Sequence, residues 1–203
     1  MKIPTRSDNL FWTSAMLCLA IGLTGCAKMT QDHRENSQIM QTSMTLWQTI
    51  DALAQHIPFS KNNVENVLSA HLAEKDTSES PIQNTAFLFY IGGPVNLTDG
   101  AVISNVDLRI RRKAGHPGFL VLNMKGRCVS LDEVRSHYSD LKLTYPPRPD
   151  STYAFTGYST FPSWGRLSFS FLERNPNCLS SLSFDPKPIE AGNMMAWPSA
   201  TRR

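Results

Sequence analysis

The 203-residue chain has little of what marks specialised protein classes. Twenty Lys+Arg against 17 Asp+Glu leave a formal net charge of +3, too small for the concentrated basic face of a dedicated nucleic-acid binder. The composition excludes collagen, a coiled-coil rod and a chain disordered throughout. No repeat at solenoid or propeller spacing is present. Cysteine is scarce, at four residues. Catalytic frames are missing as well. There is no Gly-x-Ser-x-Gly elbow, no His-Glu-x-x-His, no EF-hand loop, no phosphate-binding Gly-x-x-x-x-Gly-Lys and no Gly-x-Gly-x-x-Gly. The five histidines, His33, His56, His71, His116 and His137, are scattered, and none pairs with His or Cys at a ligand spacing. No cofactor or metal is expected, and the chain does not read as an enzyme.

What is present begins at the N-terminus. Lys2 and Arg6 form a positive n-region, and Leu10 to Ile21 form an interrupted apolar stretch, too short for a span of about 20 apolar residues. It closes on Leu23-Thr24-Gly25-Cys26. This segment resembles the lipobox of bacterial lipoproteins. The resemblance implies cleavage before Cys26, thioether diacylation of Cys26 and acylation of the new amino terminus with palmitate-type chains. Two or three such chains, at about 0.8 kcal/mol per buried methylene, make a lasting membrane anchor. By analogy with enteric lipoproteins, Ala27 in place of Asp directs the protein to the outer rather than the inner membrane. The resemblance places the protein in the envelope, facing the periplasm, and transfers no activity. Residues 1–25 are then signal, 26–37 a lipidated polar tether, 38–185 a single domain and 186–203 a Pro-containing tail without structure.

Cys18 falls in the signal and Cys26 carries lipid, so Cys128 and Cys178 remain. In an oxidising compartment this pair is most simply a disulfide. Closing its fifty-residue separation is worth about 4 kcal/mol on the chain-entropy model. It would clamp the segment after one strand to the start of the last.

The expected fold is α+β, with two N-terminal helices on a mostly antiparallel sheet of five to seven strands and one short inserted helix. Met40, Met44, Trp47, Ile50, Ala54 and Ile57 share a helical face, predicting a helix over 37–56. Ser60 caps a second over 61–74, with Val64, Val67, Leu68 and Leu72 as its stripe. Ser130, with Glu133 three residues on, opens a third that ends at His137 or Tyr138. Strands are expected over 85–91 (central, covered on both faces), 102–112, 119–125, 141–145, 152–159, 166–172 and 179–184.

Two segments suggest contact surfaces. Arg109, Arg111, Arg112 and Lys113, with His116 in the following turn, gather at the end of a hairpin. They suit an acidic protein or anionic head groups, or else protect an edge strand. The segment from Tyr145 to Trp164 interleaves Tyr145, Tyr153, Phe155, Tyr158, Phe161 and Trp164 with prolines and Arg148, the composition of a protein-binding hot spot. Tyr153, Phe155 and Trp164 are assigned to the core, and Arg148, Tyr158 and Phe161 to the surface. Asp132 and Glu133 beside His137 are the nearest approach to an acid–base cluster, and cap and surface ion pair explain them as well. The reading that follows is a lipid-anchored, non-catalytic protein-binding module, with a toxin-neutralising immunity lipoprotein as its concrete form. The partners are the membrane, through Cys26, and a toxin or envelope protein. A carrier of small apolar ligands or lipids and a hydrolase with an unfamiliar frame are the alternatives.

Overall fold

The computed structural model describes residues 40–78, 86–113, 115–148 and 154–188. The leader, Cys26, the tether, His33, Tyr153 and the tail beyond 188 therefore lie outside the described residues. No helix among those described is long and apolar enough to cross a membrane.

The fold is α+β, with three helices and ten hydrogen-bonded stretches of strand among the described residues. In chain order these are β1 (Met40–Gln41), α1 (Leu46–Ala54), α2 (Lys61–Leu68), β2 (Leu72–Glu74), β3 (Phe87–Gly92), β4 (Val95–Asn96), β5 (Ala101–Arg111) and β6 (Phe119–Gly126). There follow α3 (Leu131–His137), β7 (Lys142–Tyr145), β8 (Phe155–Thr160), β9 (Gly165–Leu172) and β10 (Leu179–Pro186). One sheet runs β1-β4-β5-β6-β10-β9-β8-β7, with β3 also on β5 and β2 on β3. All pairings are antiparallel except β1 with β4. β3 and β4 meet β5 in one register, Gly92 opposite Val106 and Val95 opposite Ile103, so they are one strand broken at Gly93-Pro94.

Period-two alternation decides the layers. One sheet face carries Val106, Leu108, Leu120, Leu122, Leu182, Phe184, Leu167, Phe169 and Phe171, all buried. Leu46, Ile50 and Leu53 of α1, Val64 and Leu68 of α2 and Val134 of α3 join the same core. Each such side chain contributes about 1.5–3 kcal/mol by leaving water.

The helices are shorter than periodicity predicts. Residues 40–41 pair with β4 instead of opening a helix. α1 starts at a capping box, in which the Gln48 N–H donates to Thr45 Oγ1 and Gln48 Oε1 accepts from the Thr45 N–H. α2 stops at Leu68, where Ser69 takes the left-handed conformation (φ 49°). Leu72, expected as the last rung of the helical stripe, is buried from a strand paired with β3. Leu68 and Leu72 fit a helix by spacing alone, and tertiary pairing overrides the helix-forming Leu-Ala-Glu sequence. α3 forms as expected, with Ser130 Oγ accepting from the Glu133 N–H at 3.1 Å.

The 85–91 stretch is not central. β3 has β5 on one side and only three-residue β2 on the other, and its residues are all half-buried. Cys128 and Cys178 are bridged, Cα atoms 5.0 Å apart. The bridge closes a loop holding α3 and β7 to β9 where β6 and β10 lie side by side, and Leu179 N–H donates to the Val129 carbonyl there.

Candidate functional site

The helices cover one face of the sheet. The opposite face is built by the alternate residues, and the registers place them in rows across the strands. One row runs Ile91, Asp107, Val121, Ser183, Ser168, Ser159, Lys142. The next runs Asn105, Asn123, Ser181, Ser170, Gly157, Tyr145. Over β8 to β10 the floor is therefore serine and glycine, with taller side chains on both sides. Thr144 Oγ1 and Ser159 Oγ are 2.7 Å apart, and Ser159 Oγ and Ser168 Oγ 2.8 Å, forming a hydroxyl chain. Tyr145 lies over Gly157, where a Cβ would meet its ring at 2.9 Å.

Arginines stack on aromatic rings at both sides of this floor. On β5 the Arg109 guanidinium lies 5.8 Å from the Phe89 ring centre and 5.5 Å from that of Phe119. Three hydrogen bonds, the shortest 2.6 Å, hold it to Asp107 and raise its pKa against the opposing effect of burial. Arg111 is exposed, 5.9 Å from the Phe87 ring, and His116 meets the same ring edge-on at 5.9 Å. The Gly118 N–H donates to His116 Nδ1 at 3.1 Å. Arg112 and Lys113 are exposed. On the other side Arg166 binds Asp185 at 2.6 Å and reaches the Tyr145 ring at 5.6 Å. Its Nε is the buried side-chain polar atom left without a partner among the described residues.

The structure corrects several expectations here. β5 is paired on both sides as far as Arg109, so Arg109 does not guard an edge, while Arg111 pairs with β3 alone. Within the span from Tyr145 to Trp164, Tyr145 ends β7 and Phe155–Thr160 form β8, as the expected strands there require, while 149–153 lie outside the described residues. Tyr158 faces the helices, edge-on to Phe171 with Arg135 over it, and is half-buried. Phe155, assigned to the core, is exposed at the end of the outer face. Trp164 stacks on Phe184 and packs against the core. Among the described residues, four large apolar side chains are exposed: Leu143 57%, Tyr145 40%, Phe155 39% and Phe161 52%. All belong to β7, β8 or the residue after it. Arg148 is exposed beyond β7. Arg111 and Arg112 stand with Phe87 at one end of the strands, while Tyr145 and Phe155 pair, 6.2 Å apart, on the far hairpin. The fold keeps the two predicted surfaces apart.

The acid–base cluster does not assemble. Glu133 is held by Arg127 through two bonds of 2.8 and 3.0 Å, which lowers its pKa, and the Trp47 indole adds to this. Arg127 also donates to the Asp99 carbonyl at 3.0 Å and to its carboxylate at 3.1 Å. Desolvation raises the Asp99 pKa, but the Leu46 and Ala101 amides and Arg127 outweigh it and the net shift is downward. His137 stacks on Trp47 at 3.9 Å, and burial pushes Tyr138 up to about 12. These groups tie α1, the β4–β5 turn and α3 together, with Asp132 outside, exposed and paired to Arg135. No group of three or more His, Cys, Asp or Glu among the described residues is placed to hold a metal. Sequence reasoning missed Phe87, Phe89, Phe119, Arg166 and the serine rows. Their alternation with buried residues was visible, but which face lacked a covering helix was not. No family model, curated protein or solved structure matches the chain.

Proposed function

We propose that the chain is a lipid-anchored envelope protein, held by Cys26, that binds a protein partner and performs no catalysis. The lipobox supports the anchor and the compartment, and a disulfide accords with an oxidising environment. The observation that carries the binding role is the exposure of four large apolar side chains on the β7–β8 edge, with Tyr145 and Phe155 paired on its outer face, Leu143 opposite Tyr158 on the other face and Phe161 just after β8, each 39–57% exposed. Single exposed hydrophobics are ordinary, whereas a group of them at a sheet edge marks a contact surface. Aromatic and arginine side chains on a sheet are also the side chains that dominate interface energetics. Neutralising a toxin in the periplasm is the form of binding that best suits a small, cross-linked sheet without an assembled acid–base site.

The test is capture by the full-length, epitope-tagged protein from a detergent-solubilised envelope after cross-linking. The expected result is one stoichiometric protein partner, weakened by Leu143→Ser with Phe155→Ser. A partner that kills when exported in cells lacking this chain gives the immunity form. Absence of any stoichiometric partner would refute the binding role.

A further inference from the structure

We propose that the sheet end carrying Arg111, Arg112, Lys113 and Lys187 faces the bilayer and binds anionic phospholipid head groups. The proposal rests on the lipid anchor at Cys26 and adds how the domain meets the membrane.

Three observations carry it. First, the registers bring these cations to one end of the sheet. Arg111 ends β5, and Lys187 follows Pro186 at the end of β10. β6 joins the two strands, with Leu120 opposite both Leu108 and Phe184, so their ends lie level. Arg111, Arg112, Lys113 and Lys187 are all exposed, and none has an ion-pair partner among the described residues. Of the carboxylates at this end, Asp185 is paired with Arg166, Asp140 accepts from Thr160 Oγ1 and Asp76 accepts from the Ser78 N–H. Adjacent unpaired cations repel one another, and a surface of phosphate groups relieves that repulsion.

Second, the chain enters the sheet from the direction of this end. Gln41 lies opposite Asn96, and Asn96 opposite Val102, while Met40 lies opposite Val95, and Val95 opposite Ile103. The step from Gln41 back to Met40 therefore runs along β5 towards Arg111. This is the observation that favours lipid over an acidic protein. Third, the tether is long enough and short enough. Cys26 is 14 positions before Met40, about 48 Å of fully extended chain. The eight positions of β5 from Ile103 to Arg111 take up about 27 Å of that, so the basic end can touch the bilayer. A tether of this length keeps the domain at high effective concentration beside the membrane, where a weak attraction is enough to orient it. Tyr145 and Phe155, at the other end of β7 and β8, then point away from the bilayer towards a partner.

The test uses the exported, membrane-extracted protein, reconstituted in phosphatidylcholine vesicles with or without phosphatidylglycerol. A dye is placed on Ser163→Cys, in the β8–β9 turn at the basic end, or on Arg174→Cys, beyond β9 at the other end. Both positions are exposed, and the β9 between them is about 24 Å long. Energy transfer to acceptor-labelled lipid reads the height of each end above the bilayer. With phosphatidylglycerol, transfer from Ser163→Cys should exceed that from Arg174→Cys about twofold or more. The difference should vanish in R111E/R112E/K113E and at about 0.5 M salt. It should persist in R111K/R112K, because head-group attraction needs the charge and not the planar fork. An unchanged urea midpoint shows that each variant keeps its fold. Intact mass is read first: a product without acyl chains would refute the anchor itself. Equal transfer from the two ends of an acylated product would refute the orientation alone, as would a difference that survives the triple reversal. Poly-glutamate bound as tightly with phosphatidylglycerol as without it would leave the cations in solvent and overturn the proposal in favour of an acidic protein.

Discussion

Replacing Arg127 by Met should cost about 2–4 kcal/mol at pH 7, and the cost should shrink in acid. Arg127 makes four hydrogen bonds, two to the Glu133 carboxylate, one to the Asp99 carboxylate and one to the Asp99 carbonyl. Bonds to charged groups contribute about 1.5–3 kcal/mol when fully buried. With the Arg127 side chain 34% exposed, solvent screening cuts each to roughly 0.5–1 kcal/mol. Methionine keeps most of the aliphatic packing, so the difference reports the charged contacts. The pH dependence follows from the lowered pKa values of Asp99 and Glu133. A carboxyl whose folded pKa is depressed contributes stability that is fully present above its unfolded pKa, about 4, and is lost as pH falls through the folded value. The wild type should therefore lose this contribution below about pH 4.5. The variant has already lost Glu133's main partner, so the gap between the two proteins narrows from pH 7 to about pH 3. Urea unfolding followed by tryptophan fluorescence at pH 7, 5 and 3.5 measures it. A loss below about 0.5 kcal/mol at pH 7, or one that does not change with pH, would refute the argument that this cluster staples α1 and α3 to the β4–β5 turn.

Cys128→Ser with Cys178→Ser should lower stability by about 3–4 kcal/mol and raise the urea m-value, since the unfolded chain regains a loop of separation 50, and chemical denaturation of both forms checks this. Phe169→Ala should cost about 3–5 kcal/mol, because the side chain is fully buried between the sheet and Tyr138; a midpoint shift worth less than about 2 kcal/mol would mean that the site collapses around the cavity. Thr45→Ala removes the α1 cap and should cost about 1 kcal/mol, with Thr45→Ser recovering most of it in the same assay.

Much of the fold was legible because the strands alternate. Val106, Leu108 and Ile110 against Asp107, Arg109 and Arg111 declare a half-buried strand, and the registers confirm its partners. Ser130 and Glu133 announced α3. Helix lengths were less legible. A three- or four-residue apolar spacing continues past a real helix end whenever the next element also needs a buried residue, as at Leu72. The Thr45–Gln48 capping box marks the true start of α1, a local signal that the apolar spacing of Met40 and Met44 does not carry. Tyr158 and Phe155 exchanged their expected places for a similar reason. Their spacing of three puts them on opposite faces of a strand, but only the pairing with β9 assigns which face is core.

By itself, then, the sequence determined the α+β class, most strand positions, the third helix and the availability of Cys128 and Cys178 for a bridge. These depend on local pattern, propensity and composition, which a linear chain carries in full. Tertiary structure alone decided that β10 inserts between β6 and β9, that the helices cover a single face, and that arginine–aromatic stacks flank a serine floor on the other. It also brought Asp99, Arg127 and Glu133 together. Each of these depends on which distant strands pair, and period-two patterning is the same whichever neighbour a strand takes.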